Sequence, residues 1–202
     1  MEEKLERLLD KAEIVDIVQT ERAARDQAQW DLMLRMYHDD AVVSLSWFTG
    51  SGPEFVAASR RMLESGGHSA HQMGPTLVTQ NGSRALAQTT CAVSIRTRLR
   101  SVEVEVTAHS RLHQRLEKRG GQWRISRLSI VYLRDMLSLV NPADSVEIDA
   151  ARLARHRPSY RFLAYLLEEN GEQPSADLAG SDRPETVRPL LDADDAWLAA
   201  AA

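Results

Sequence analysis

The sequence predicts an α+β fold, in which helices lie on one face of a strongly curved antiparallel sheet and enclose a cone-shaped pocket, followed by a helical C-terminal extension. Three observations predict it. Apolar residues recur at helical spacing through the first third of the chain, alternate with a period of two from about residue 71 to residue 140, and return to helical spacing only beyond Pro142. Helices followed by a run of strands indicate segregated layers rather than alternating βαβ units. With 202 residues, 43% of them hydrophobic and 27% charged, the chain can bury one core and carry an appendage. The expected division is a domain at residues 1 to 141 and the extension at residues 142 to 202.

Taken in order, residues 3 to 37 hold Leu5, Leu8, Leu9, Ala12, Ile14, Val15, Ile17 and Val18 at helical spacing, with acidic residues early, and predict one or two amphipathic helices. A short strand, "DAVVSLSW", follows. In "TGSGPEFVAASRRMLES" the glycines make a turn, Pro53 suits a first helical position, and Phe55, Val56, Ala58 and Met62 form an apolar stripe, which predicts a third helix. The strands "HQMGPTLVTQ", "RALAQTTCAVSIR", "VEVEVTAHSRLHQRLEK" and "WRISRLSIVYLR" are separated by the turns "NGS" and "RGGQ" and read as a meander. On the third of them Val102, Val104, Val106, Ala108, Leu112 and Leu116 share one face, while His109, Arg111, His113 and Arg115 share the other. After a linker, a helix is predicted over about residues 158 to 169, ended by Asn170-Gly171. A loop with Pro174 and Pro184 then leads to a last helix in Ala-rich sequence.

Composition excludes several classes of function. A net charge of -4 and a pI near 5.9 argue against nucleic acid as partner, since phosphate binding needs a concentrated basic face. The basic stretch "SIRTRLRS" alternates as a solvated strand does. The single cysteine, Cys91, excludes an internal disulfide framework and, among apolar neighbours, reads as a small buried hydrophobe. No apolar run is long enough for a membrane span or a signal peptide, so a cytoplasmic location and no membrane partner are expected. No HExxH or clustered Cys/His pattern exists, so no metal is expected, and His68 beside Gly66 and Gly67 reads as a loop residue.

The succession "IVDIVQTERAARDQAQWDLMLRMYHDDAVV", "GSGPEFV", "HSAHQMGPTLVTQNGSRALAQTTC" and "RLHQRLEKRGGQWRISRLSIVYLRD" resembles SnoaL-like proteins of the nuclear transport factor two-like superfamily over about residues 8 to 140. In the superfamily's lyases (scytalone dehydratase, bile-acid dehydratase and hexachlorocyclohexane dehydrochlorinase) a helix-borne Asp and a strand-borne His form a catalytic pair. The resemblance places Asp26, in "RAARDQAQW", and His71, in "SAHQMGPTLV", at those positions. Taken singly, such an Asp is an ordinary helix-end residue and such a His an ordinary strand-start residue. As a pair they make chemical sense: a carboxylate on one imidazole nitrogen fixes the tautomer, leaves the other nitrogen free to take a proton, and stabilises the imidazolium. A base of this kind contributes on the order of 10² to 10⁴ in rate.

Around that pair, Trp30, Tyr37, Trp47, Phe48 and Met73 are the expected apolar walls for an aromatic or polycyclic substrate. Arg127 and Tyr132 lie near where relatives place a residue that polarises the leaving group. Their odd separation turns them to opposite faces unless a bulge intervenes, so one is expected inside. His109 and His113 are expected at solvent or at a subunit contact, with His109 as a lesser substrate-binding candidate. The Lys or Tyr that some relatives carry near the Asp is replaced here by Arg22 and Arg25. The apolar "YRFLAYLLEE" must be buried, as simple packing, as a lid over the pocket mouth, or on a neighbouring subunit.

The expectation is therefore a lyase needing no cofactor. It would eliminate water, or a small fragment such as formaldehyde, from a hydroxylated aromatic, diaryl or polycyclic substrate, and would assemble as a homo-oligomer, a trimer or a dimer. An isomerase, cyclase or epoxide hydrolase of the same fold and a non-catalytic ligand-binding module are the alternatives.

Overall fold

The computed structural model describes residues 1–201. Helix α1 (Glu2–Asp26) and the short α2 (Trp30–Arg35) lead into strand β1 (Tyr37–Ser44) and the three-residue β2 (Thr49–Ser51). Helix α3 (Gly52–Glu64) precedes four long strands, β3 (His68–Asn81), β4 (Arg84–Leu99), β5 (Val102–Arg119) and β6 (Gln122–Leu139). The extension holds α4 (Ala150–Leu153), α5 (Arg161–Glu169) and α6 (Pro184–Ala199). One open, curved six-stranded sheet runs in the order β2-β1-β6-β5-β4-β3, antiparallel throughout except where β1 joins β6 in parallel. No helix among the described residues is long and apolar enough to cross a membrane.

Local chemistry sets the elements that carry the site. Helix α1 ends at Asp26 because Ala28 takes a left-handed conformation, φ 57°, and turns the chain into α2. Helix α3 starts on a capping box, with Ser51 Oγ accepting from Glu54 N–H and the Glu54 carboxylate accepting from Ser51 N–H at 2.8 Å. Gly52 lets that helix approach β1 closely, since a Cβ there would lie 3.0 Å from Tyr37 Cβ.

The inner face of the sheet packs on α1 and α3. Ile14 and Val18 of α1 and Phe55 of α3 meet Val43, Ala87, Leu112, Leu116, Ile125 and Leu128 of the strands in one core. Toward the open end of the cone the extension takes over. Tyr165 and Leu166 of α5 close on Leu99, Val104 and Val106, and Leu163 and Ala164 close on Tyr132 beside Tyr160. The packing thus puts α5 at the rim of the cone.

Helix α6 lies on the opposite, outer face. Asp194 accepts from Arg115 Nε at 2.7 Å and lies 3.7 Å from His113 Nδ1, while Arg84 and Arg115 both stack on Trp197. His113 is therefore buried beneath this helix rather than at solvent or a subunit contact. Alternation on β5 had assigned it to the polar face correctly, but not what covers that face. His109 lies on the same outer face, paired with Ala92 and Arg134.

Candidate active site

The last turn of α1 and the first half of β3 converge on Asp26 and His71. Asp26 Oδ1 lies 2.7 Å from His71 Nδ1, and Asp26 Oδ2 accepts from the His71 backbone N–H, also at 2.7 Å. One carboxylate thus holds the ring and the strand that carries it. The contact selects the tautomer with the proton on Nδ1, because an ionised carboxylate can only accept. Nε2 has no hydrogen-bond partner among the described residues, and His71 lines the main cavity.

Burial acts on both groups, with different outcomes. Burial alone would raise the Asp26 carboxyl, but the hydrogen bonds and charge of His71, aided by Arg25, hold it below the usual carboxylate range. Burial pushes the His71 imidazole down, and Arg22 and Arg25 add to that, so it ends below its ordinary value although Asp26 pulls it up. At neutral pH the pair is a carboxylate and a neutral imidazole with a free nitrogen.

The cavity is about 800 Å³, room for a substrate of two or more rings. Trp47, Phe55 and Met62 line it from the helix side, and Val93, Ile95, Ala108 and Ile130 from the sheet. Leu163, Leu166 and Leu167 of α5 line it as well. Two features of register explain the sheet side. His71 pairs with Val93 and Ser69 with Ile95, which puts all four on the inner face, and a bulge at Gly74-Pro75 begins only past that stretch. On β6 the bulges fall between Ile125 and Arg127 and between Tyr132 and Arg134, so alternation holds between them.

That placement separates the two β6 candidates. Tyr132 faces inward, buried, with its hydroxyl oxygen accepting from Ser46 N–H at 2.9 Å and its ring 5.2 Å from that of Tyr160. Arg127 faces outward opposite Arg115, with its Nε 3.3 Å from Ser129 Oγ, and does not line the cavity. Burial raises the Tyr132 phenol, so it stays protonated and its O–H remains available to a guest.

Of the expected apolar walls, Trp47 lines the cavity. Tyr37 lies in the core, with its O–H donating to Glu21 Oε1 at 2.7 Å, because the parallel join of β1 to β6 turns it beneath α1. Phe48 packs behind Trp47 and Phe55, and Met73 packs beside the core two residues along β3 from His71. Trp30 borders only a small crevice behind Asp26 and Arg25. His109 faces away from the cavity, since its neighbours Ala108 and Ser110 are the ones facing in. His68 opens β3 as its first, exposed residue at the cavity mouth rather than lying in a loop.

Sequence reasoning missed Glu21 as a site residue. It is fully buried, pairs with Arg22 and accepts from Tyr37, while Arg22 and Arg25 reach the cavity wall. A signal was present: Glu21, Arg22 and Arg25 continue the stripe begun by Ile14, Ile17 and Val18, so charged residues occupy positions where the periodicity demands burial. Ser59, Ser69, Ser110 and Met62 carried no such signal.

Comparison with known proteins matches residues 6–129 to the family model of the SnoaL-like domain. The chain is 26% identical to pea pathogenicity protein 2 of Fusarium vanettenii over 166 residues, spanning 79% of this chain and 70% of that protein. A hexachlorocyclohexane dehydrochlorinase structure from Novosphingobium barchaimii superposes at TM-score 0.57 and 17% identity over 72% of this chain and 99% of its own. A structure from Novosphingobium aromaticivorans, assigned there to a scytalone dehydratase, does so at TM-score 0.54 and 14% identity over 70% and 97%. At such identities the structural likeness is one of fold.

Proposed function

The chain belongs to the SnoaL-like domain family, and from that premise we propose that it is a cofactor-independent lyase that eliminates water, or a small fragment such as formaldehyde, from a hydroxylated aromatic or polycyclic substrate. The observation that carries this reading is the state of His71: Nδ1–H held by Asp26 at 2.7 Å, and Nε2 unpartnered at the wall of an apolar cavity of about 800 Å³. A neutral imidazole so placed is a general base with no other task.

In a dehydration, His71 Nε2 takes the proton from an activated C–H, the electron pair forms the new double bond, and the C–O bond breaks. The His71 imidazolium returns that proton to the departing oxygen, which leaves as water while Tyr132 O–H hydrogen-bonds to it. In the formaldehyde variant, His71 takes the proton of a hydroxymethyl O–H. The C–C bond then breaks as the carbonyl of formaldehyde forms, and the carbanion left on the substrate takes the proton from the His71 imidazolium. In either course Asp26 stabilises the imidazolium, and Tyr132 supplies the hydrogen bond to developing negative charge on oxygen. The apolar lining from Trp47, Ile95, Ile130 and Leu163 suits a ring-bearing body and excludes water from the base.

The test is to follow product mass on a panel of hydroxylated aromatic and diaryl substrates with the full chain, His71→Ala, Asp26→Asn and Tyr132→Phe. The expected result is a product lighter than the substrate by one water or one formaldehyde, formed at a rate that falls by about 10² or more in His71→Ala and Asp26→Asn, with a smaller fall in Tyr132→Phe. Product of unchanged mass points instead to an isomerase. Turnover that survives both dyad changes, or none on any substrate, overturns the lyase reading.

A further inference from the structure

Two buried arginines, Arg22 and Arg25, stand in the cavity wall, and they differ in their partners. Arg22 lies against Glu21, whose carboxylate also accepts from Tyr37 O–H at 2.7 Å. Asp26 is held by the two hydrogen bonds from His71. Arg25 is hydrogen-bonded to no carboxylate among the described residues. Its Nε is 3.3 Å from Ser59 Oγ, Nη1 donates to Ser69 Oγ at 2.8 Å, and Nη2 meets only the sulfur of Met62 at 3.9 Å. Its counter-charge is Asp26, whose Oδ1 lies 3.8 Å from Nη1, beyond hydrogen-bond reach, and accepts instead from His71 Nδ1 at 2.7 Å.

This guanidinium is only 9% exposed and lines the cavity, with the Trp47 ring centre 5.9 Å from its central carbon. Burial, helped by the like charge of Arg22, pulls the guanidinium down to about 10 although Glu21 and Asp26 pull it up. Two hydroxyls fix its plane without neutralising it, which is the arrangement of a preorganised anion contact.

We propose that Arg25 is the anion-recognition residue of the cavity: the substrate carries an apolar ring body and an anionic oxygen, a carboxylate or an acidic phenolate, that docks on the Arg25 guanidinium beside His71. This deepens the lyase reading and rests on the cavity being the substrate site. Trp47 and Phe55 take the ring body, the fork takes the oxygen, and His71 Nε2 meets the adjoining carbon or hydroxyl. A neutral substrate of equal shape leaves the guanidinium without a charge-assisted hydrogen bond and binds more weakly, because discrimination in such a site comes from the polar group left without a partner.

Two probes of the same shape test this, 2-naphthoate and 2-naphthamide, titrated calorimetrically into the full chain at pH 7.5. Wild type is expected to bind the carboxylate about tenfold or more tighter than the amide. Arg25→Met brings the two to near parity at unchanged amide affinity, and Arg25→Lys, which keeps the charge but loses the fork, falls between. His71→Ala keeps the preference for the carboxylate, so failure of the dyad shows in turnover while failure of the anion site shows in binding. Equal affinities in wild type, absence of binding by either probe, or a preference that survives in Arg25→Met overturns the proposal. Should Arg25→Met not fold, an unchanged preference in Arg25→Lys overturns it instead.

Discussion

His71 is pulled in opposite directions by its neighbours, and the balance decides when it can act. Burial and the two arginines favour the neutral ring, Asp26 favours the charged one, and the sum lies below the ordinary 6.5. The acid limb of the kcat/KM profile is therefore expected to have its midpoint below pH 6.5, with a plateau through neutrality, and the pH–rate profile on any turned-over substrate checks it. Stability follows the same sign. The unfolded chain protonates His71 from about 6.5 and Asp26 from about 3.8, whereas the folded chain protonates each only at lower pH. Between those values the unfolded state binds more protons, so both contributions are complete above pH 6.5 and shrink on acidification, His71 first and Asp26 below 3.8. Thermal melts across that range are expected to show the fall, reduced on its upper part in His71→Gln.

At the scale of elements, α5 is the wall of the cavity least able to hold itself. It has nine residues and no side-chain N-cap of its own, and a helix that short is marginal in isolation. Its first turn is held from the sheet instead: Asp135 Oδ2 of β6 accepts from Leu163 N–H at 2.8 Å. Burial keeps that carboxyl above its usual range despite the backbone N–H groups around it. Its far end is set by Gly171, which takes φ 79° after Asn170 and lets the chain leave the helix. Asp135→Ala is expected to cost about 1 kcal/mol, as the loss of a cap does. Hydrogen exchange should become faster across Arg161–Glu169 while β4 and β5 stay protected. Uniform protection of α5 in that variant would show that the apolar contacts of Leu163 and Leu166 suffice.

The whole molecule is a cone whose C-terminal extension returns to the strand that bears Tyr132. Tyr132 N–H donates to Ala179 O and Ser181 N–H donates to Tyr132 O, both at 2.9 Å, so the returning segment adds a short rung beside the phenol. Arg157 clamps that segment, donating to Asp182 and to the carbonyls of Ala176 and Leu178, and Ser159 Oγ donates to Asp182 Oδ1 at 2.6 Å. Gly180 sits where all of these meet. A Cβ there would lie 2.4 Å from Ser159 Oγ, 2.7 Å from Asp182 Oδ1 and 2.8 Å from Arg157 Nη2. Gly180→Ala is expected to lower stability by about 1–3 kcal/mol, the usual cost of overpacking. It should also lower kcat more than it changes KM, because Tyr132 loses its fixed position while the cavity's ring-binding wall is untouched. Denaturant melts and steady-state kinetics on the same variant read both effects.

Much of this was legible locally. Periodicity gave α1, α3, α5, α6 and the four long strands, because burial of one face is written at the spacing of 3.6 or 2 residues, and turn residues gave the stop at Asn170-Gly171, whereas the short α4 falls in sequence that reads as a linker. Asp26 and His71, 45 residues apart, could be named only through the family resemblance, and no local pattern places their side chains at 2.7 Å. Which aromatic residues face the cavity was not legible, since Trp47, Phe48 and Tyr37 are equally apolar and their directions depend on how β1 joins β6. Nor was the choice of Tyr132 over Arg127, which rests on bulges set by pairing with β5. The chain by itself determined its elements, its α+β class and the residue types available for acid–base chemistry. Tertiary structure decided which of them share a wall, which arginine lacks a hydrogen-bonded carboxylate, and what α5 and α6 cover, because those outcomes depend on contacts between segments that have no fixed spacing along the chain.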